Sequence, residues 1–293
     1  MQPTLTYTNA QGESITFGPL MPYHVDLSAV TGLSDIENQI YTIRSMGQDG
    51  DTYVDSRLTA REIQIPGSAT GDPAALPAMR RRLMRVLSPK LEGTLIYTGD
   101  VVRAISVRVR TAPTWQEGNG LYPAFTLQLA ALDPYWRDAG DTVTHIALWL
   151  GMFEFPLPDG LEIIDGQWQV GQRSPSLIVN LINQGDVSAG LEITFRALGA
   201  LSTPALVDVN TQEYIRFDLT MAAGDVLTVS TGYGRKRATL TCGGITTDAF
   251  GYMEQGSTFL QAQPGDNLYR YMATSGQDNL EVAIRHNNRY LTV

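Results

Sequence analysis

The sequence has few of the residues that metal or thiol chemistry needs, with one cysteine and three histidines among 293 residues. A single cysteine, Cys242, excludes an intramolecular disulfide, so the fold must be held together by packing. No segment approaches the ~20 consecutive apolar residues of a membrane span. The first ten residues also lack the basic start and apolar run of a signal peptide. We therefore expect the chain to be synthesised in a cytoplasm. We do not expect it to insert into a membrane.

Charged residues are also scarce, at 17%, and acidic ones prevail, giving a net charge of -9. Residues 1–138 carry 12 basic and 14 acidic side chains, whereas residues 139–293 carry 9 and 16. Nucleic-acid binders need cations to displace the counterions of phosphates. The charge balance therefore argues against a general nucleic-acid binder.

What the chain does have is hydrophobic residues (43%), 28 glycines and 15 prolines, a composition typical of folded, turn-rich protein. Its length favours two domains. We place a first domain at 1–138, a linker with a proline-rich stretch (155–160) at 139–172, and a second domain at 173–293. The alternation of apolar and polar residues predicts a mainly β fold in both.

The first domain is predicted to be α+β, with one helix against a β-sheet or split barrel. Residues 4–7 and 14–17 flank a turn and predict a hairpin, and residues 105–109 and 125–129 alternate as strands. The helix is predicted from about Pro77 to before Pro89, because a proline disfavours helix in the residue preceding it. Its apolar face comprises Leu76, Met79, Leu83, Val86 and Leu87.

Residues 43–60 are polar, contain glycine and lack a helical period, which indicates an extended loop or hairpin arm. A long segment with no core of its own usually packs on a neighbour. In the second domain, short strands are predicted at 177–181, 191–195, 214–219, 226–229, 238–242 and 280–284. Regularly spaced short strands separated by turns predict a β-sandwich.

Candidate catalytic residues do not form a motif. His24, His145 and His286 have no metal-ligand spacing, and Cys242 alternates with Ala238 and Leu240 as a small buried hydrophobe would. Three aspartates resemble half of a calcium loop but lack its closing glutamate; they are Asp49, Asp51 and Asp55. We therefore predict no enzyme, no catalytic or metal-binding residue and no cofactor.

Two basic groups are candidate contact surfaces. Arg235, Lys236 and Arg237 are expected at a hairpin tip, where they could contact an acidic partner. The helical arginines are expected on a solvated or subunit-contacting face; they are Arg80, Arg81, Arg82 and Arg85.

Aromatic residues in the second half leave open an alternative function, a carbohydrate-binding adhesion module for a host-surface glycan. Core and interface packing is the competing explanation, since large aromatics are common in both. The residues concerned are Trp149, Trp168, Tyr233, Tyr252, Tyr269, Tyr271 and Tyr290.

Several segments, in order and spacing, resemble the distal tail protein family of siphophage tails. In the first half they are Gly47-Gln48-Asp49-Gly50, Leu58-Thr59-Ala60-Arg61-Glu62-Ile63, Arg81-Arg82-Leu83, Leu87-Ser88-Pro89, Gly93-Thr94-Leu95-Ile96-Tyr97 and Ala131-Leu132-Asp133-Pro134-Tyr135-Trp136. In the second half they are Asn183-Gln184-Gly185-Asp186, Pro204-Ala205-Leu206, Ala223-Gly224-Asp225 and Pro264-Gly265-Asp266-Asn267.

The resemblance implies a virion structural protein at the phage tail tip that forms a homo-oligomeric, hexameric ring. Its implied partners are the tail tube protein, a tail-associated hub or lysin protein, and a receptor-binding protein or host glycan. It implies a galectin-like or carbohydrate-module-like second domain. The arm resembles the family's belt, which reaches onto the next subunit through Gln48, Asp49, Gly50, Asp51, Thr52, Tyr53, Val54 and Asp55.

Overall fold

The computed structural model describes residues 2–116, 122–146, 149–151, 171–173 and 177–293. The chain divides into two compact units, Met1–Ala139 together with Arg289–Val293, and Gly140–Asn288. Within the described ranges, no helix is both long and apolar enough to cross a membrane.

The first unit contains a closed β-barrel and one α-helix. Its elements in chain order are β1 (Thr4–Asn9), β2 (Ser14–Gly18), β3 (Tyr23–His24), β4 (Asn38–Ile43), β5 (Thr52–Leu58), β6 (Arg61–Ala69), α1 (Leu76–Val86), β7 (Glu92–Thr98), β8 (Val102–Gln116), β9 (Ala124–Ala131) and β10 (Trp136–Asp138). Strands β1, β2, β3, β6, β9, β8 and β7 pair in that order, and β7 returns to β1 to close the barrel.

The barrel is filled by the inward residues of its alternating strands, such as Leu5, Ile65 and Leu127, all fully buried. Leu83 and Val86 of α1 and its C-cap residue Leu87 belong to the same core, so the helix covers the barrel as the period of its apolar residues predicted. Pro77 lies in the first turn, where its missing N–H costs no helical hydrogen bond.

Two packed β-sheets form the core of the second unit, and shorter two-stranded pairings accompany them. Its strands are β11 (Thr142–Ile146), β12 (Trp149–Gly151), β13 (Gly171–Arg173), β14 (Ile178–Asn183), β15 (Ala189–Ala197), β16 (Leu201–Ser202), β17 (Ala205–Asp208), β18 (Tyr214–Arg216), β19 (Thr220–Met221), β20 (Val226–Ser230), β21 (Arg237–Cys242), β22 (Ile245–Asp248), β23 (Gln261–Ala262), β24 (Gly265–Met272) and β25 (Leu280–His286). A last strand, β26 (Arg289–Tyr290), lies in the first unit.

One sheet has the order β11-β25-β15-β20-β21-β22, and the other has the order β14-β24-β17-β18. Phe195 and Val229 of the first sheet and Leu206 and Tyr271 of the second share one buried cluster. This is a β-sandwich, and the predicted mainly β fold is confirmed in both units.

Three details differ from the expectations. Residues 142–146, placed in the linker, form β11 against β25, and residues 289–293, placed in the second domain, fold with the first unit through β26 and β10. Most of the predicted linker, including its proline-rich stretch, lies outside the described residues. Cys242 is exposed rather than buried, because β21 runs past the core into the turn at Gly243.

Candidate subunit interface

The predicted arm is a two-stranded hairpin that pairs only with itself among the described strands. Strands β4 and β5 form it, so the hairpin begins at Asn38, five positions before the predicted 43–60. All six residues of β4 are exposed, and so are most of β5. The segment therefore has no core of its own, which is the physical condition for docking elsewhere.

The tip of the hairpin is closed by the Gly47-Gln48-Asp49-Gly50 segment. Gly47 and Gly50 both have positive φ, which glycine adopts without strain. The Gln48 side chain accepts from the Ser45 N–H at 3.2 Å and donates to the Thr52 hydroxyl at 2.9 Å. This segment therefore shapes the arm's turn, and Asp51 pairs with Arg44 beside it.

One face of the arm is apolar and exposed. Ile40 lies opposite Ser56, and Tyr53 donates from its hydroxyl to the Ser56 Oγ at 3.0 Å, so Ile40 and Tyr53 share a face. Both are about 60% exposed. Val54 is the extra residue where the register shifts, and Met46 at the tip is fully exposed.

The opposite face of the arm is already occupied by its own polar contacts. Arg57 donates to the Gln39 Oε1 atom at 3.2 and 3.1 Å, and its guanidinium lies 5.5 Å from the centre of the Tyr41 ring. Asp55 is opposite Tyr41 and accepts from the Ser56 N–H. The polar side chains of this face therefore contact one another, and Ile43, opposite Thr52, is exposed beside them.

The predicted arm residues divide between these features. Gln48, Asp49, Gly50 and Asp51 form the tip, and the residues of β5 carry the faces: Thr52, Tyr53, Val54 and Asp55. The candidate interface residues, Gln48 to Asp55, left out Ile40, which precedes the predicted arm, and Ile43 and Met46, which lie within it; all three are exposed apolar side chains. The available signal was a β-type apolar run just before the polar stretch.

The arm is joined to the barrel beside a buried arginine. Arg61, at the start of β6, is only 2% exposed, and its guanidinium donates to five backbone carbonyl oxygens at 2.6–3.2 Å. The acceptors are Gly32, Leu33, Asp35, Pro134 and Leu291. Burial lowers the pKa of Arg61, and the charge of Asp35 opposes that shift.

Arg61 and the five carbonyl groups that it bonds form a clamp, to which Trp136 and Gly32 also belong. The Trp136 indole donates to the Leu33 carbonyl at 3.0 Å. Arg61 and Trp136 belong to two of the segments that resemble the family, and both bond the same carbonyl. At Gly32 φ is +85°, and a Cβ there would lie 2.0 Å from the Glu62 carbonyl oxygen. Only glycine fits that position.

The last strand is fastened to the clamp by ion pairs. Asp133 accepts from Arg289 at 2.7 Å and also pairs with Arg137. Burial raises the pKa of Asp133, but the charges and hydrogen bonds of Arg289 and Arg137 outweigh it, so the net pKa lies below its usual range. Arg289 also lies 4.1 Å from the centre of the Tyr135 ring.

This lowered pKa predicts an acid-sensitive contribution to stability. The unfolded chain binds the proton first, near pH ~4, so the contribution is complete above that pH and falls as pH drops through the folded pKa. We expect Asp133→Asn to flatten the fall in unfolding free energy between about pH 5 and about pH 3. Urea unfolding at each pH measures it, with Asp49→Asn at the exposed tip as control; equal slopes for Asp133→Asn and the wild type would contradict it.

The two basic groups lie in different settings. Among the helical arginines, Arg85 pairs with Glu13 at 2.7 Å and Arg80 lies 5.1 Å from the Trp115 ring centre. Arg235 and Lys236 lie in the exposed turn before β21, and the exposed Arg237 is the first residue of that strand. These three form no salt bridge with any residue in the described part of the chain.

The other candidates are dispersed. The His24 ring bonds the Pro19 carbonyl at 2.8 Å, His145 is exposed and His286 is buried. No group of three acidic, histidine or cysteine side chains within the described ranges is placed to hold a metal ion.

The predicted aromatic set also separates. Tyr269 and Tyr271 are core residues of the second unit, and Tyr290 is buried in the first. Tyr233 and Tyr252 are exposed. The side chains of Trp149 and Trp168 lie outside the described residues.

Two of the second-half segments that resemble the family contain a buried asparagine that bonds the backbone of neighbouring turns. Asn183, 2% exposed, donates to the Val187 and Ala262 carbonyls at 3.0 and 2.9 Å. Asn267, 3% exposed, donates to the Gln263 carbonyl at 2.8 Å and accepts from the Gln263 N–H at 2.7 Å. Both asparagines are therefore structural.

Comparison with known families matches both units. The family described as a phage tail protein RIFT-related domain matches residues 11–130, and the C-terminal domain of a siphovirus-type tail component matches residues 184–290. No curated protein sequence matches the chain.

Solved structures match over nearly the whole chain. The Dit protein of phage SPP1, described as a paradigm of the hub adsorption apparatus in phages that infect Gram-positive bacteria, is similar with a TM-score of 0.68 and 14% identity, covering 97% of this chain and 98% of that one. A chain of the phage P2 baseplate, in its activated conformation with Ca, gives 0.56 and 11%, with 100% of both chains covered. The same baseplate with Sr gives 0.57 and 10%, again with both chains fully covered.

The barrel, the sandwich and the two matched domains define a two-domain tail component of siphophages. The chain belongs to the distal tail protein family, which confirms the resemblance found in the sequence. It is a structural component of the phage tail tip or baseplate and is carried in the virion.

Proposed function

We propose that this chain assembles into a closed hexameric ring that joins the tail tube protein to a hub or lysin protein and to a receptor-binding protein. The arm, including Gln48 to Asp55, reaches onto the neighbouring copy. Ring closure is heterologous, since one patch of each copy meets a different patch of the next. No catalytic residue, metal or cofactor takes part.

The observation that carries this proposal is the exposed arm with an apolar face. Large apolar side chains such as Ile40 and Tyr53 are more than half exposed on a hairpin that pairs only with itself among the described strands. Contiguous exposed apolar surface is typical of interaction sites. Because the arm is tethered to a domain that docks as well, its contacts gain a high effective concentration.

The mass of the purified protein in solution tests the proposed assembly. Six copies of a 32.1 kDa chain have a mass of ~193 kDa, which we expect from light scattering after size exclusion. Electron-microscopy averages of the same sample are expected to be rings. A monomer at every concentration, with and without the tail tube protein, would rule the ring out.

Carbohydrate recognition by the second unit is the alternative that the aromatic residues left open. Neither matched family description names a carbohydrate-binding domain. The structural role is therefore proposed as the main function.

A further inference from the structure

A cleft on the second unit combines cationic, hydroxyl and aromatic side chains. Its volume is about 400 Å³, within the usual range of small-ligand sites. It lies where β21, β22 and the following turn meet. The residues that bear on its chemistry are Lys236, Arg237, Thr239, Thr247, Asp248 and Phe250.

The cations of the cleft are not neutralised by the rest of the described unit. Elsewhere on this unit Arg196, Arg216 and Arg285 each pair with a glutamate. Lys236 and Arg237 form no salt bridge with a described residue. The Lys236 ammonium instead lies 4.7 Å from the Phe259 ring centre and 5.5 Å from that of Tyr233, which holds it beside aromatic faces. The two cations outnumber the single carboxylate of Asp248, so the cleft has a net positive charge on an acidic protein.

The aromatic part of the cleft is braced and partly exposed. Phe250 stacks on Phe259 with ring centres 5.9 Å apart and stays 44% exposed. Tyr233, 73% exposed, is the second aromatic ring near the Lys236 ammonium. Exposed aromatic faces supported from behind are suited to pack on the apolar face of a sugar ring.

Polar groups of the cleft can accept and donate several hydrogen bonds. The Asp248 Oδ1 atom accepts from the Phe250 N–H at 3.0 Å, which fixes the carboxylate. Thr239 lies opposite Asp248 across the strand pair. The Thr247 hydroxyl donates to the Leu240 carbonyl at 3.3 Å, so it can accept from a sugar hydroxyl, as the Asp248 carboxylate can, whereas the Thr239 hydroxyl can donate or accept.

We propose that this cleft binds a short saccharide that carries a carboxylate. Lys236 and Arg237 bind the carboxylate, Phe250 packs on a sugar ring, and Asp248 and the threonines bond its hydroxyls. The net charge of -9 repels long polyanions, so a short acidic saccharide suits the site better than nucleic acid or a long polyphosphate. An acidic protein is disfavoured because a protein interface needs a wider surface than this cleft. At a tail tip, such a site would contact acidic glycan of the host surface.

Titration of the full-length protein by NMR tests the proposal. The probes are short oligosaccharides of galacturonate, glucuronate and mannuronate, their neutral counterparts, inorganic phosphate and a hexaglutamate peptide. At least one uronate oligosaccharide is expected to bind, with neutral, phosphate and peptide probes at least about tenfold weaker. Lys236→Gln and Arg237→Gln are each expected to weaken it about tenfold, and Phe250→Ala to weaken it as well.

Arg235→Gln is the matched control, because Arg235 shares the turn but does not line the cleft. It is expected to bind within about twofold of the wild type. Circular dichroism and the oligomeric mass establish that each variant keeps its fold and assembly. The proposal is overturned if no uronate binds at ~10 mM, if a neutral, phosphate or peptide probe binds equally well, or if Arg235→Gln weakens binding as much as Lys236→Gln.

Discussion

Replacement of Arg61 by alanine is expected to lower the free energy of unfolding of the first unit by about 3–5 kcal/mol. The guanidinium is almost fully buried and serves five carbonyl oxygens that its removal would leave without this donor. A buried acceptor without a partner costs about 1–3 kcal/mol. The vacated space adds a cavity cost.

Arg61→Lys is expected to recover only part of this loss. An ammonium keeps the charge but has three donors on one atom, so it cannot span acceptors as far apart as Pro134 and Leu291. Arg82→Ala, an exposed helical arginine, is the control and is expected to change stability by less than about 0.5 kcal/mol. Denaturant unfolding followed by tryptophan fluorescence is the measurement. A loss below about 1 kcal/mol for Arg61→Ala would show that the carbonyls find other donors.

Arg61 also illustrates what the sequence could not predict. Arg61 lies in a segment that resembles the family, but one of its hydrogen-bond partners is Leu291, which lies 230 positions further along the chain. Local patterns carry no information on such pairing. The helix, in contrast, was predictable because the spacing of Leu83, Val86 and Leu87 is itself the cause of its packing.

Apolar alternation along the sequence did not predict the exposure of Cys242 or the two faces of the arm. Alternation with Ala238 predicted a buried Cys242, but alternation does not tell where a sheet's core ends, and Cys242 lies beyond it. The arm was predictable as a segment without a core. Its faces were not, because the register shift between Tyr41 and Thr42 breaks the simple alternation of β5.

Loss of the apolar face of the arm is expected to weaken the association between copies in the proposed ring. The double variant Ile40→Thr and Tyr53→Ser removes apolar surface from the face that is free in the single chain. Burial of each such side chain contributes about 1.5–3 kcal/mol, so we expect the dissociation constant between copies to rise by about a hundredfold or more. Light scattering across a dilution series measures that constant.

The matched control changes the polar face of the same hairpin. Gln39→Ser with Asp55→Thr alters two residues opposite the apolar face and is expected to raise the dissociation constant less than about tenfold. Because the arm has no core, neither double variant should lower the stability of the barrel by more than about 0.5 kcal/mol. If the two double variants dissociate alike, the arm contributes only as a tether. If neither dissociates, the ring is closed by other surfaces and the arm serves a different partner of the tail tip.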